Sequence, residues 1–312
     1  MVDVDKAQSE QANAVAARAG FWIRADLGVL RVQGDDRLTW LNGQLTNDLR
    51  KLESESSVRA LAVHVRGKIM AEVWVVSAAE ELLVVLPRTA EATLLESFER
   101  YIIMEDVTLA PWPTAQVVQL LGPLSGVSAP ASAGGALPEG GFAFDELGFG
   151  GRAWLGEPEA LAPVLAALRG AGVPEIDERG YELARLRAGS PRYGRDFGDR
   201  SYPQEAGLKA LVSFAKGCYL GQEVVCTLEN RGRLNRQLAL FTGRGAPPAP
   251  SSQLVGANSE ALGEVTSAVF DADSQNVLAL GYVKRAHAAP GTTLTAAGTQ
   301  LTLQRLVGAE GA

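Results

Sequence analysis

Hydrophobic and polar positions change period several times along the chain. An Ala-rich stretch over residues 6–18 predicts a helix. FWIRA (21–25) and GVLRVQG (28–34) predict two strands with a turn at Asp26-Leu27. Asp35 then takes the N-cap position of a short helix, on which Leu38, Leu41 and Leu45 fall at helical spacing; it ends near Thr46-Asn47-Asp48. Residues 58–86 predict an antiparallel meander, with VRALAVHV and IMAEVWVV flanking the tight turn Arg66-Gly67-Lys68 and ELLVVLP as the third strand. A helix from about Ala90 to Tyr101 turns Leu94, Leu95 and Phe98 inward, and VTLAPW and QVVQLLG add strands near 107–122.

The next stretch, 123–141, is rich in Gly, Pro, Ser and Ala and predicts a mobile loop. A strand pair at 142–155 precedes an amphipathic helix at about 157–170, and Asp177 caps a further helix running to Ala188, with Tyr181, Ala184 and Leu186 or Ala188 inward. Residues 189–203 are irregular, and Leu220–Glu229 predicts a helix. From about 234 the pattern shortens to six strand-like runs, RQLALFTG, QLVG, LGEVTSAVF, VLALGYVKR, TTLTA and QLTLQRLV, the spacing of a small barrel or sandwich.

Composition adds exclusions. The 312 residues suffice for two or three domains. No run approaches the roughly 20 apolar residues of a membrane-spanning helix. The N-terminal residues begin acidic and lack an apolar signal core, so the expected compartment is the cytoplasm. Two cysteines, Cys218 and Cys226, are too few for a disulfide framework, and on one helix they would sit about 12 Å apart. With His64 and His287 they form no zinc-like spacing, so no resident metal or iron–sulfur site is expected. His64 falls in an alternating strand and reads as half-buried; His287 reads as surface.

The net charge of −7 argues against direct nucleic-acid binding. The charge is uneven, since residues 179–236 hold eleven Lys/Arg against six Asp/Glu. That stretch is either a solvated basic surface or a patch for an anionic ligand such as a carboxylate tail.

The densest chemical signal is Lys216-Gly217-Cys218-Tyr219-Leu220-Gly221-Gln222-Glu223. Gly217 and Gly221 permit sharp turns or close backbone approach. Lys216 beside Cys218 favours the thiolate and makes Cys218 a candidate reactive thiol. Glu223 suits the first turn of a following helix. The other reading of Cys218 is a buried structural cysteine at a loop-to-helix junction, and both stand at this point.

This octapeptide resembles the signature of the YgfZ family, Lys-Gly-Cys-Tyr-x-Gly-Gln-Glu. Further segments resemble that family in the same order: Leu41-Asn42-Gly43-Gln44-Leu45-Thr46-Asn47-Asp48, Arg66-Gly67-Lys68, Pro203-Gln204-Glu205, Arg231-Gly232 with Arg236, and Gly281-Tyr282-Val283-Lys284-Arg285. The family is similar in fold to the T-protein of the glycine cleavage system, a tetrahydrofolate-dependent aminomethyltransferase. The resemblance implies an α+β, three-domain aminomethyltransferase-like fold around a folate-binding channel, with a small C-terminal β-barrel. It implies a discontinuous folate-binding domain of residues 1–50 plus 112–232, a meander domain at 51–111, and the barrel at 233–312.

The resemblance also implies a function, a folate-binding accessory protein for iron–sulfur cluster assembly or repair, with indirect effects on tRNA modification. Its ligand would be tetrahydrofolate or another folate, and its partners iron–sulfur assembly or client proteins. The alternative is a folate-dependent aminomethyl- or methyltransferase. Two departures speak against transfer. Where the T-protein carries an Asp-Asp pair after the meander turn, this chain has Ala71 and Glu72; where it carries a folate-contacting Glu, this chain has Arg187. An arginine offers no acceptor. Family positions for folate-contacting aromatics fall on Tyr181 and Leu27, and Arg187 or Arg192 is a candidate partner for a folate carboxylate. Tyr181 reads equally as a core aromatic.

Overall fold

The computed structural model describes residues 2–53, 56–123, 141–230 and 232–309. Most of the Gly/Pro/Ser/Ala stretch expected to be a mobile loop, and Arg231, lie outside the described residues. No described helix is long and apolar enough to cross a membrane. Contacts divide the chain into two compact units, one of residues 14–177 and 211–222, the other of residues 1–13, 178–210 and 223–312. The threefold division expected from the resemblance cuts the chain differently, its domain of residues 1–50 plus 112–232 drawing on both units, and remains an expectation.

Helix α1 (Val2–Ala17) crosses from the second unit into the first. In the first unit follow β1 (Gly20–Ile23), β2 (Leu27–Gln33), α2 (Arg37–Gln44), β3 (Ser57–Val63), β4 (Ile69–Ala78), β5 (Glu81–Pro87), α3 (Glu91–Glu99), β6 (Thr108–Pro111), β7 (Gln116–Leu121), β8 (Phe142–Ala143), β9 (Gly151–Gly156) and α4 (Pro158–Gly170). The meander expected at 58–86 is β3-β4-β5, within an antiparallel sheet of order β3-β4-β5-β2-β6. A second antiparallel sheet runs β1-β7-β9-β8. The strands on either side of Asp26-Leu27 therefore belong to different sheets.

A core of Leu27, Val29, Trp74, Val85, Val117, Phe144 and neighbours joins inward faces of both sheets, and Trp74 stacks on Phe144 with centroids 4.5 Å apart. The other face of the four-stranded sheet is covered by Leu161, Val164 and Leu168 of α4. Two local expectations need correction. The N-cap of α2 is Asp36, not Asp35, and it makes no side-chain capping bond. Leu38 is 39% exposed, because α2 buries only Trp40 and Leu41 and turns its remaining side chains outward.

In the second unit, α5 (Glu178–Ala188) and α6 (Gln222–Asn230) precede six strands: β10 (Arg236–Arg244), β11 (Gln253–Val255), β12 (Ala261–Asp271), β13 (Asn276–Lys284), β14 (Thr293–Ala296) and β15 (Thr299–Leu306). They close into a barrel of order β10-β13-β12-β11-β14-β15, with β15 pairing back onto β10. Alternate residues such as Phe241, Leu254, Val265, Val277, Leu294 and Leu301 fill its interior.

Helix α5 buries more than its expected face. Besides Tyr181, Ala184 and Leu186, it buries Gly180, Leu183 and, completely, Arg185. The Arg185 guanidinium donates to Asp196 at 2.8 Å, to Glu182 at 2.6 Å and to the Ser267 hydroxyl at 2.8 Å. Asp196 in turn accepts from the hydroxyls of Ser267 and Thr266. A buried cation with fixed acceptors ties α5, the irregular segment after it and β12 together. Removing one partner of such a pair strands the other charge, which costs about 3–5 kcal/mol. Arg185→Ala is expected to lose that much in urea denaturation, whereas Arg195→Ala, at an exposed ion pair, loses at most about 1 kcal/mol. Equal losses would contradict the assignment.

Candidate functional site around the Lys216–Gln222 loop

The signature segment leaves the first unit at its end and becomes α6 of the second, with Glu223 in the first helical turn as expected. Its position is set from the short helix α2. The last carbonyls of a helix have no partner within it. Here Lys216 supplies one: its ammonium donates to the carbonyls of Asn42 at 2.6 Å, Leu45 at 2.8 Å and Asn47 at 2.7 Å. All three ammonium hydrogens are thereby committed, and the cation lies at the negative end of the helix dipole. Burial pushes the Lys216 amine down to about 8, against the opposing charge of Asp48, so it remains an ammonium at neutral pH.

Several further bonds hold the loop. The Leu220 amide donates to the Gly43 carbonyl at 3.0 Å, and the Ser213 amide to the Thr46 carbonyl at 2.9 Å. The Thr46 hydroxyl donates to the Leu211 carbonyl and accepts from the Leu61 amide, joining loop, helix end and β3. Gly221 has φ +77, and a Cβ there would lie 2.4 Å from the His64 carbonyl oxygen, so only glycine fits the turn. Lys216 thus bonds backbone carbonyls at the end of α2.

Between the two anchored points, Gly217 and Cys218 are exposed, while Tyr219 is buried. Cys218 therefore lies outside the helix and away from the core, in contrast to the buried-cysteine reading. Cys226 is half-buried on α6. His64 is exposed in the turn after β3 and not half-buried within a strand, its amide and carbonyl closing that turn with Lys68 and Gly67. Among the described residues, no group of three or more His, Cys, Asp or Glu is placed to hold a metal ion.

Ala71 and Glu72, expected from the resemblance to stand at the T-protein's Asp-Asp pair, sit in β4. Ala71 is fully buried opposite Ala62. Glu72 is 4% exposed and pairs with Arg59 at 2.6 Å. Burial pushes its carboxyl above the ordinary value, against the pull of Arg59 and with help from the charge of Glu146. Nearby, the buried Arg24 binds Asp26, Glu146 and Gln119, a charged cluster that sequence periodicity did not reveal.

The folate-contact candidates divide between the units. Leu27 is 2% exposed in the sandwich core of the first. In the second, Tyr181 is 3% exposed, with the Arg192 guanidinium 5.6 Å from its ring centroid. Arg187 pairs with Asp271 and Asp273, and Arg192 with Glu182 and Glu178. Arg185, Arg195, Lys209 and Arg236 are also ion-paired, mostly with acids of the same stretch or beside it, namely Asp196, Glu178, Glu229 and Glu205.

The family described as the glycine cleavage T-protein C-terminal barrel domain matches residues 236–302. The chain is 26% identical to the tRNA-modifying protein YgfZ of Yersinia pseudotuberculosis over 78% of each chain. It is 27% identical to that of Sodalis glossinidius over 73% of each. Along most of its length the chain is therefore similar to proteins named YgfZ. It is also 27% identical to a chloroplastic Arabidopsis thaliana protein named as a transferase, covering 86% of this chain and 66% of that one. The crystal structure of aminomethyltransferase T from Bartonella henselae superposes with a TM-score of 0.81 at 20% identity, covering 97% of this YgfZ-like chain and 90% of the other. The fold is thus the mixed helix-and-sheet T-protein fold with its closed six-stranded barrel.

Two expectations follow for this YgfZ-like loop. Lys216→Met leaves three carbonyls without their donor, which is expected to cost at least about 3 kcal/mol and to accelerate hydrogen exchange at Ser213 and Leu220. Lys216→Arg does not restore protection, because a planar fork cannot meet three carbonyls converging on one point. Unchanged exchange in either variant would contradict the clamp. Separately, the Arg50 side chain holds Asp48 at about 2, below its ordinary 3.8. A depressed carboxylate contributes stability above its unfolded value and loses it as pH falls through the folded one. Acid unfolding between pH 4 and 2 should therefore be shallower in Asp48→Asn than in the parent, and identical slopes would contradict the pairing.

Proposed function

We propose that this chain is a folate-binding accessory protein of the YgfZ type, supporting iron–sulfur cluster assembly or repair with indirect effects on tRNA modification. The observation that carries the reading is the exposed Cys218 on a loop pinned at Lys216 and Leu220. A thiol so held is accessible, and as thiolate it is a nucleophile and a soft donor for iron. Relatives named as tRNA-modifying proteins support the last part of the reading.

Folate enters through the likeness to T-protein. Within their own units, Leu27 closes a core, and Arg187 and Arg192 are paired with carboxylates. These side chains alone do not build a folate site, and Tyr181 with Arg192 is the pair best suited to a planar ring and an anionic tail. Against the transferase reading stand Ala71, which offers no carboxylate, Glu72, engaged by Arg59, and Arg187, engaged by two aspartates.

Cys218→Ala should fold normally by circular dichroism yet fail to complement a strain lacking its YgfZ protein, while Cys226→Ala complements. Purified protein should bind tetrahydrofolate saturably and show no turnover with an aminomethyl donor. Full complementation by Cys218→Ala, or turnover above the uncatalysed rate, would overturn the reading.

A further inference from the structure

The loop that carries Cys218 has exposed neighbours that thiol chemistry alone leaves unused, all of them in the first unit. At one end of the loop, the Ser213 amide bonds the Thr46 carbonyl, and the Thr46 amide bonds the Leu61 carbonyl of β3. At the other end, Gly221 packs on the His64 carbonyl in the turn after β3. The loop is therefore moored along β3, from Leu61 to that turn.

Each mooring carries an exposed apolar side chain. Phe214 is 39% exposed beside the first, and Val65 is 59% exposed beside the second. Ala215, Gly217 and Cys218 are exposed along the loop between them. The backbone beneath Val65 is closed by the His64 amide on the Lys68 carbonyl and the Gly67 amide on the His64 carbonyl. Apolar groups on a backbone already fixed lose little freedom when a partner covers them.

Cations frame the same strip. Segments 40–52, 61–68 and 211–222 hold Arg50, Lys51, Arg66, Lys68 and Lys216 against Asp48 alone, with Glu53 and Glu223 just beyond. Asp48 is taken up by Arg50. The exposed Lys51 and Arg66 have no acid partner among the described residues. A second copy of the chain would set these cations against each other. An anionic bilayer gains only about 1 kcal/mol per cation. A protein surface with acids around an apolar centre satisfies both the charge and the apolar side chains.

We infer that this strip docks an acidic segment of a partner protein, apolar at its centre, that presents a cysteine sulfur to Cys218. The inference rests on the accessible Cys218 thiol proposed above, and its test separates the two.

The full chain carrying Cys226→Ala is mixed with pentapeptides whose central cysteine is a mixed disulfide with 5-thio-2-nitrobenzoate. Leucine and phenylalanine flank that cysteine, and the ends are either two aspartates or two lysines. The Cys218 thiolate attacks the peptide sulfur, a new disulfide forms, and the yellow nitrobenzoate thiolate leaves. At low ionic strength the acidic peptide should react about tenfold or more faster than the basic one. The ratio should fall toward one in 1 M salt, where the screening length is about 3 Å. It should also fall in Lys51→Glu with Arg66→Glu, and a ratio cancels any change in the thiol itself. Val65→Ser with Phe214→Ser should slow both peptides alike while iodoacetamide reacts as before. Equal peptide rates in a chain that iodoacetamide modifies readily would overturn the docking strip alone. No reaction with iodoacetamide would overturn the accessible thiol and the strip with it. Co-sedimentation with phosphatidylserine vesicles, lost in the Lys51→Glu, Arg66→Glu chain, would assign the strip to a membrane and overturn the proposal.

Discussion

A buried ammonium needs its charge met by fixed acceptors, and the end of a helix needs donors for its last carbonyls. Lys216 and α2 answer both needs at once. Because α2 has only eight residues, much of its backbone lies within reach of its own C-terminal end, and a single lysine from a distant part of the chain completes it. The same contact fixes where the signature loop can run. With Lys216 bonded to the end of α2 and Leu220 bonded to Gly43, the two residues between Lys216 and Tyr219 are exposed, the cysteine among them. Thr46 and the glycine at 221 carry the fixation on to β3 and its turn.

The second unit follows the same rule with different residues. Arg185, buried among Asp196, Glu182 and Ser267, anchors α5 to the barrel, and Arg187 and Arg192 are matched by carboxylates in turn. Along residues 179–236, Arg187 and Arg236 take acids distant in sequence, Asp271, Asp273 and Glu264, while Arg185, Arg192, Arg195 and Lys209 pair with acids in or beside the stretch. Linear charge therefore overstates the patch available to an anion. Ala71, Glu72 and Arg187, expected from the resemblance to stand against the T-protein's acids, are a buried small apolar residue, an ion-paired glutamate and an ion-paired arginine.

Much of the fold was legible because strands with one apolar face announce themselves. The meander at 58–86, the closing run of short strands after 234, and α4 with its Pro158 start all follow from periodicity. The misses have physical causes. The Asp26 turn reads as a hairpin because local pattern does not reveal which sheet a strand joins, and Asp35 and Asp36 are indistinguishable as caps without the backbone. The segments at 41–48 and 216–223 were both visible as motifs. Their pairing was not, because the acceptors for Lys216 are backbone carbonyls, which carry no residue identity. The burial of Arg185 and Arg24 stayed hidden for a related reason, since a buried arginine looks like a surface one until its acids are located.

The central claim is that the Lys216 contacts leave Cys218 outside the protein core. Alkylation of the native protein with iodoacetamide, followed in time by peptide mass spectrometry, measures this directly. Cys218 should be modified rapidly and to completion while the half-buried Cys226 lags behind it; a Cys218 that stays unmodified until the protein is denatured would contradict the account.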